Sequence, residues 1–143
     1  AFVYVRKNVA AETPITLRYT LPAGGRTTFP RTLVIVEANA QATVIEEFTS
    51  TDQADGALAA PVSEIFAGPG SLVRFVSAQH WGAGVYHLGG QKVVLDRDAS
   101  VEWTSIALGG KVQHIEAETT LKGNGSRVNW VGATFANGTQ LLL

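Results

Sequence analysis

Apolar and polar residues alternate along this chain in short runs, each cut off by glycine, proline, asparagine or aspartate before a helical period develops. Valine, isoleucine, threonine and aromatic residues dominate the runs. Such side chains fit a pleated, half-buried surface, so the pattern predicts strands. The runs also repeat. Leu17-Arg18-Tyr19-Thr20, Glu46-Glu47-Phe48-Thr49, Val73-Arg74-Phe75-Val76, Val101-Glu102-Trp103-Thr104 and Val128-Asn129-Trp130-Val131 each place a polar residue, an aromatic and then threonine or valine in succession. The aromatics are separated by 29, 27, 28 and 27 residues. A turn precedes each copy: Lys7-Asn8, Ala38-Asn39, Gly68-Pro69-Gly70, Asp96-Arg97-Asp98 and Gly123-Asn124-Gly125. Another apolar run precedes most of those turns, at Phe2 to Val5, Leu33 to Val36, Ile65-Phe66 and Val93 to Leu95.

The repeating unit is therefore strand, tight turn, strand and a longer return. Helical repeats need amphipathic pairs that are missing, propeller blades need about 40–45 residues, and the leucine-rich signature is lacking. An all-β, right-handed parallel β-helix of about five coils of 27–29 residues remains. Coils stacked at about 4.8 Å give a prism about 24 Å tall.

Stacking predicts one continuous internal ladder of Tyr19, Phe48, Phe75, Trp103 and Trp130. Alternation then turns Arg18, Glu47, Arg74, Glu102 and Asn129 outward, with arginine beside glutamate three times in a row. Glu46 breaks the pattern, because other copies carry an apolar residue there. It is either displaced by a bulge between Ala40 and Phe48 or a buried carboxylate. The longer turn-to-aromatic distance in that copy favours the bulge. The polar stretch from Ser50 to Ala60, with Asp52, Asp55 and Gly56, is expected to loop out of its coil. No capping helix is legible at either end, so the terminal coils offer edges on which more chain can continue the sheets.

With 143 residues and 15.1 kDa, the chain suffices for one domain, spanning 1–143. A net charge of −1 provides no electrostatic attraction to nucleic acid or to anionic membrane. Without cysteine, these residues hold no disulfide, thiolate metal site or cysteine nucleophile. No apolar run approaches the roughly 20 residues of a membrane span. A start at Ala1, no methionine and an end on Leu141-Leu142-Leu143 read as a piece of a longer protein.

Candidate chemistry is sparse. His80, His87 and His114 match no common metal spacing, and His80-Trp81-Gly82 is expected in a return loop. Asp96 and Asp98 flank a turn, where they satisfy backbone amides more simply than they chelate a cation. Glu116 and Glu118 share a strand face and read as a solvated row. Gly82-Ala83-Gly84 lacks the third glycine of a dinucleotide loop, and no P-loop lysine motif occurs. Ser71 lacks a nucleophile elbow. Asn124-Gly125-Ser126 and Asn137-Gly138-Thr139 read as turns rather than glycosylation acceptors. No catalytic, cofactor-binding or metal-binding residue is assigned.

Several segments, in order along the whole chain, resemble the core of the SufB/SufD family. These are Phe2-Val3-Tyr4-Val5 through Pro14-Ile15, Arg31 through Ala40, Val62-Ser63-Glu64-Ile65-Phe66, and Gly68-Pro69-Gly70. Val101-Glu102-Trp103-Thr104-Ser105 with Leu108-Gly109-Gly110, Leu121 through Ser126, and Phe135 through Gln140 complete the series. The Trp103-Thr104-Ser105 and Leu108-Gly109-Gly110 pair is more similar to SufD than to SufB. The resemblance implies a β-helix core and a cytoplasmic, non-catalytic scaffold role in iron–sulfur cluster assembly. The implied partners are a SufB paralogue, through β-helix pairing, and the ATPase SufC, held by helical regions outside these residues. It implies no cofactor bound by this segment, the cluster being assembled transiently by the parent complex. The family's assembly-linked cysteine and histidine match no position here. Family members continue after Asn-Gly-x-Gln with histidine and an acidic residue, where this chain has Leu141-Leu142-Leu143. From the residues alone, a β-helical carbohydrate-active enzyme or lyase, or a surface structural solenoid, is the alternative; the enzyme would line an open groove with aligned acids and basic residues.

Overall fold

The structure, a computed structural model, describes residues 1–51 and 54–143. Its strands run in chain order as β1 (Phe2–Val5), β2 (Ile15–Leu21), β3 (Thr27–Thr28), β4 (Arg31–Val36), β5 (Gln41–Ser50), β6 (Leu58–Ala59) and β7 (Val62–Ala67). They continue as β8 (Leu72–Trp81), β9 (Tyr86–Leu95), β10 (Ser100–Gly109), β11 (Val112–Leu121), β12 (Arg127–Phe135) and β13 (Leu141–Leu142). One sheet orders β1-β4-β7-β9-β11-β13, with β3 and β6 alongside; the other orders β2-β5-β8-β10-β12. Every pairing is parallel, and each coil contributes one strand to the five-stranded sheet and one or two to the other. The result is a parallel β-solenoid of about five turns.

Two-residue alternation drives the packing: along β8, Val73, Phe75, Ser77, Gln79 and Trp81 all point inward and are buried. The turn residues set the register. Asn8, Asn39, Gly70, Asp98 and Gly125, at φ 61°, 56°, 66°, 58° and 74°, form a column of left-handed residues up one corner. Asparagine, aspartate and glycine tolerate that conformation best. Asn39 Nδ2 donates to Asn8 Oδ1 at 3.2 Å, and the amides of Gly70 and Asp98 donate to carbonyls of the next coil. A Cβ at Gly70 would meet Asn39 Oδ1 at 2.7 Å, so a larger residue there would push the Asn39 side chain aside as well as adopt left-handed backbone.

This column breaks the expected aromatic ladder. Phe48 lies nine residues after Asn39, whereas Phe75 lies five after Gly70. With the turns stacked, Phe48 stands opposite Gln79 and Phe75 opposite Val44. Two shorter stacks result. Tyr19 and Phe48 lie 5.2 Å apart between centroids, and Phe75, Trp103 and Trp130 follow at 4.3 and 4.6 Å. The outer row divides in the same way. Arg18 pairs with Glu47 at 2.7 Å and Arg74 with Glu102 at 3.0 Å, but Glu47 neighbours Ala78 instead of Arg74. These exposed pairs contribute about 0.2–1 kcal/mol each.

Two further expectations are corrected. β5 alternates without interruption from Gln41 to Thr49, so no bulge displaces Glu46, whose side chain is buried. The longer turn-to-aromatic distance reflects four added strand residues, an even number that preserves which side faces inward. Within the Ser50 to Ala60 stretch, Asp52 and Gln53 lie outside the described residues. The remainder does not loop out. Ala54, Ala57 and Ala59 are buried, and the Gly56 amide donates to the Gly84 carbonyl at 3.0 Å, stacking one corner on the next.

Candidate functional site

Two apolar clusters fill the interior. One is built on Val34, Val44, Phe75 and Trp103 beside the left-handed corner; the other holds Phe48, Ala57, Trp81 and Val85 toward the opposite corner. A seam of polar side chains runs between them along the stack. On one sheet Thr32, Ser63 and Gln91 stand in register; facing them from the other are Glu46, Ser77 and Ser105. All but Ser105 are buried.

Glu46 anchors one end of the seam. Thr32 Oγ1 donates to its Oε1 at 2.6 Å and Ser63 Oγ to its Oε2 at 2.8 Å, while Thr32 Oγ1 also contacts Tyr19 Oη at 2.8 Å. Burial raises the Glu46 carboxyl above its ordinary range, and the hydroxyls of Thr32 and Ser63 oppose that shift only in part. No cation is paired with it among the described residues. Hydroxyl donors satisfy the group at a cost in charge stabilisation.

Farther along, Trp81 Nε1 donates to both Gln79 Oε1 and His87 Nδ1 at 2.8 Å. Burial depresses the His87 imidazole to about 4, so it is neutral at pH 7, and acceptance at Nδ1 places its proton on Nε2. His87, one of three histidines without a metal spacing in the sequence, is used by the fold as a hydrogen-bonding core residue.

The other candidates are dispersed. His80 sits on strand β8, exposed on the outer face, and not in a return loop. His114 lies 3.7 Å from Glu116 on the open face of β11, and Glu118 pairs with Lys92 at 3.0 Å, a solvated row as expected. Asp98 is the left-handed residue of its turn. Asp96 borders a surface groove of about 330 Å³ floored by Ile35, Phe66 and Val94 and edged by Lys7, Glu37 and Lys122. Ser71 is buried, out of reach of a substrate. No group of three metal-ligating side chains converges among the described residues. The seam has a signature in the sequence, polar residues at inward positions of apolar strands, as with Ser77 and Gln79 between Phe75 and Trp81.

Residues 19–142 match the family described as SUF system FeS cluster assembly, SufBD core domain. The chain belongs to that family. Among its relatives, the iron–sulfur cluster assembly protein SufB of Bacillus subtilis is 31% identical over 127 residues, covering 89% of this chain and 27% of that protein. An iron–sulfur cluster assembly SufBD family protein of Staphylococcus epidermidis is 27% identical over 141 residues, 99% of this chain and 30% of that protein. A Staphylococcus haemolyticus SufBD family protein matches at 27% over the same length. The chain thus spans under a third of the length of these relatives. No solved structure matches it. As a SufBD core domain, it supplies the solenoid, and no helix of it is long and apolar enough to cross a membrane.

Proposed function

We propose that this chain is the rigid core of a SufD-like, non-catalytic scaffold subunit that acts in the cytoplasm within a SufB–SufC–SufD complex. The observation that carries the reading is the family match over nearly the whole chain on an uninterrupted solenoid. Trp103-Thr104-Ser105 with Leu108-Gly109-Gly110 supports the SufD side of the family. A stack of coils tied by parallel ladders along its whole height transmits displacement with little deformation. In this account, ATP-driven motion of SufC shifts paired solenoids of this chain and a SufB paralogue, opening the site where the cluster is built. The iron–sulfur cluster is cargo of the parent complex, and this segment holds none.

Native mass spectrometry of the full-length parent co-expressed with SufB and SufC tests the partnership. A stable species containing all three chains is the expected result. A parent that stays alone, or assembles only with itself while SufB and SufC associate without it, overturns the reading.

A further inference from the structure

Beside His87 the seam encloses a cavity of about 10 Å³, walled by Ser77, Gln79, Gln91, Ser105 and Gln113 among others. Two of its walls carry polar atoms that are fully buried and have no protein partner, Gln79 Nε2 and Gln113 Oε1. The residues themselves are 4% and 7% exposed. Their chemistry is complementary, one a donor and the other an acceptor. Rotating the Gln79 amide cannot resolve its half, because Trp81 Nε1–H donates to Gln79 Oε1 at 2.8 Å and a rotated amide would set two donors face to face. The two glutamines come from different sheets and different coils: Gln79 from β8 and Gln113 from β11. A space near 10–15 Å³ with two to four polar partners is what a single buried water requires, and nothing larger fits.

We infer that this cavity is a binding site for one structural water, which accepts from Gln79 Nε2 and donates to Gln113 Oε1. The Ser77 and Ser105 hydroxyls on the same wall complete its coordination. The water ties two neighbouring coils together through the interior, from Gln79 on β8 to Gln113, which stacks on His87 one coil farther along. It belongs to the solenoid's internal structure and is independent of whichever partners the parent binds.

A crystal structure of the parent chain at better than about 2 Å tests this, together with oxygen-17 relaxation dispersion, which counts long-lived waters. Expected is one ordered peak within about 2.7–3.2 Å of both Gln79 Nε2 and Gln113 Oε1, and loss of one long-lived water in Gln113→Leu. No peak, a peak touching only one glutamine, or a direct hydrogen bond between the two amides overturns the inference. Should Gln113→Leu fail to fold, the wild-type density decides alone.

Discussion

Replacing Phe75 and Trp103 singly and together reads out the register of the solenoid. Their rings lie 4.3 Å apart, both side chains are fully buried, and such a pair contributes about 0.5–1.5 kcal/mol beyond the area it buries. Alanine at either position costs roughly 3–5 kcal/mol, so the double alanine variant loses about 6–10 kcal/mol. That rivals the roughly 5–15 kcal/mol that holds a typical domain together. Leucine keeps most of the apolar volume and is the usable replacement. Urea unfolding of the cycle Phe75→Leu with Trp103→Leu should return a coupling of about 0.5–1.5 kcal/mol. The cycle Phe48→Leu with Phe75→Leu should close to within about 0.3–0.5 kcal/mol. Phe75 stands opposite Val44, four residues from Phe48 and roughly 13 Å along the strand, and the two rings belong to separate clusters. Equal coupling in both cycles would restore the continuous ladder. It would also set Glu46 opposite Val73 instead of Ser77, and the account of the seam would fail.

The two buried titratable groups pull stability in opposite directions with pH. For His87, depressed to about 4 from 6.5, the unfolded chain takes up a proton first. Stability present above pH 6.5 is then lost as pH falls toward 4, by about 3 kcal/mol, and His87→Gln should flatten that limb of the urea midpoint profile. For Glu46 the folded state keeps its proton above pH 4.5, where the unfolded state has lost it, so stability falls as pH rises through the raised value. Glu46→Gln should remove that slope, and an unchanged slope counts against a buried carboxylate. Gly70→Ala, at φ 66° with Asn39 Oδ1 2.7 Å from the new Cβ, should cost roughly 1–2 kcal/mol or more in thermal unfolding. Gly132→Ala, with nothing within 4 Å, should be tolerated. Charge reversal at the exposed Arg74 should change stability by less than about 1 kcal/mol and leave cluster yield intact; reduced yield at unchanged stability contradicts a passive scaffold.

The architecture was legible in the sequence because its punctuation was. Every turn named from the residues is a turn, since asparagine, aspartate and glycine recur where left-handed backbone is needed. Register was not legible from the aromatics. Their separations of 29, 27, 28 and 27 look uniform, whereas the left-handed corner residues are 31, 31, 28 and 27 apart. Only stacking decides which column wins, and backbone hydrogen bonds between corners outweigh ring stacking. Glu46 was misread for a related reason. Its hydroxyl donors, Thr32 and Ser63, are 14 and 17 residues away on the opposite sheet, and a pattern read along one strand cannot supply them. His80-Trp81-Gly82 reads as a return loop in the sequence, yet the ladder extends β8 through Trp81.

Reconstitution of cluster transfer to an acceptor protein tests the central claim most directly: SufB and SufC are supplied with iron, a sulfur donor and ATP, with and without the full-length parent of this chain. Visible absorption of the iron–sulfur cluster on the acceptor should appear when the parent is present and fall to background when it is omitted. Equal cluster yield in its absence would contradict the scaffold role and leave only the solenoid.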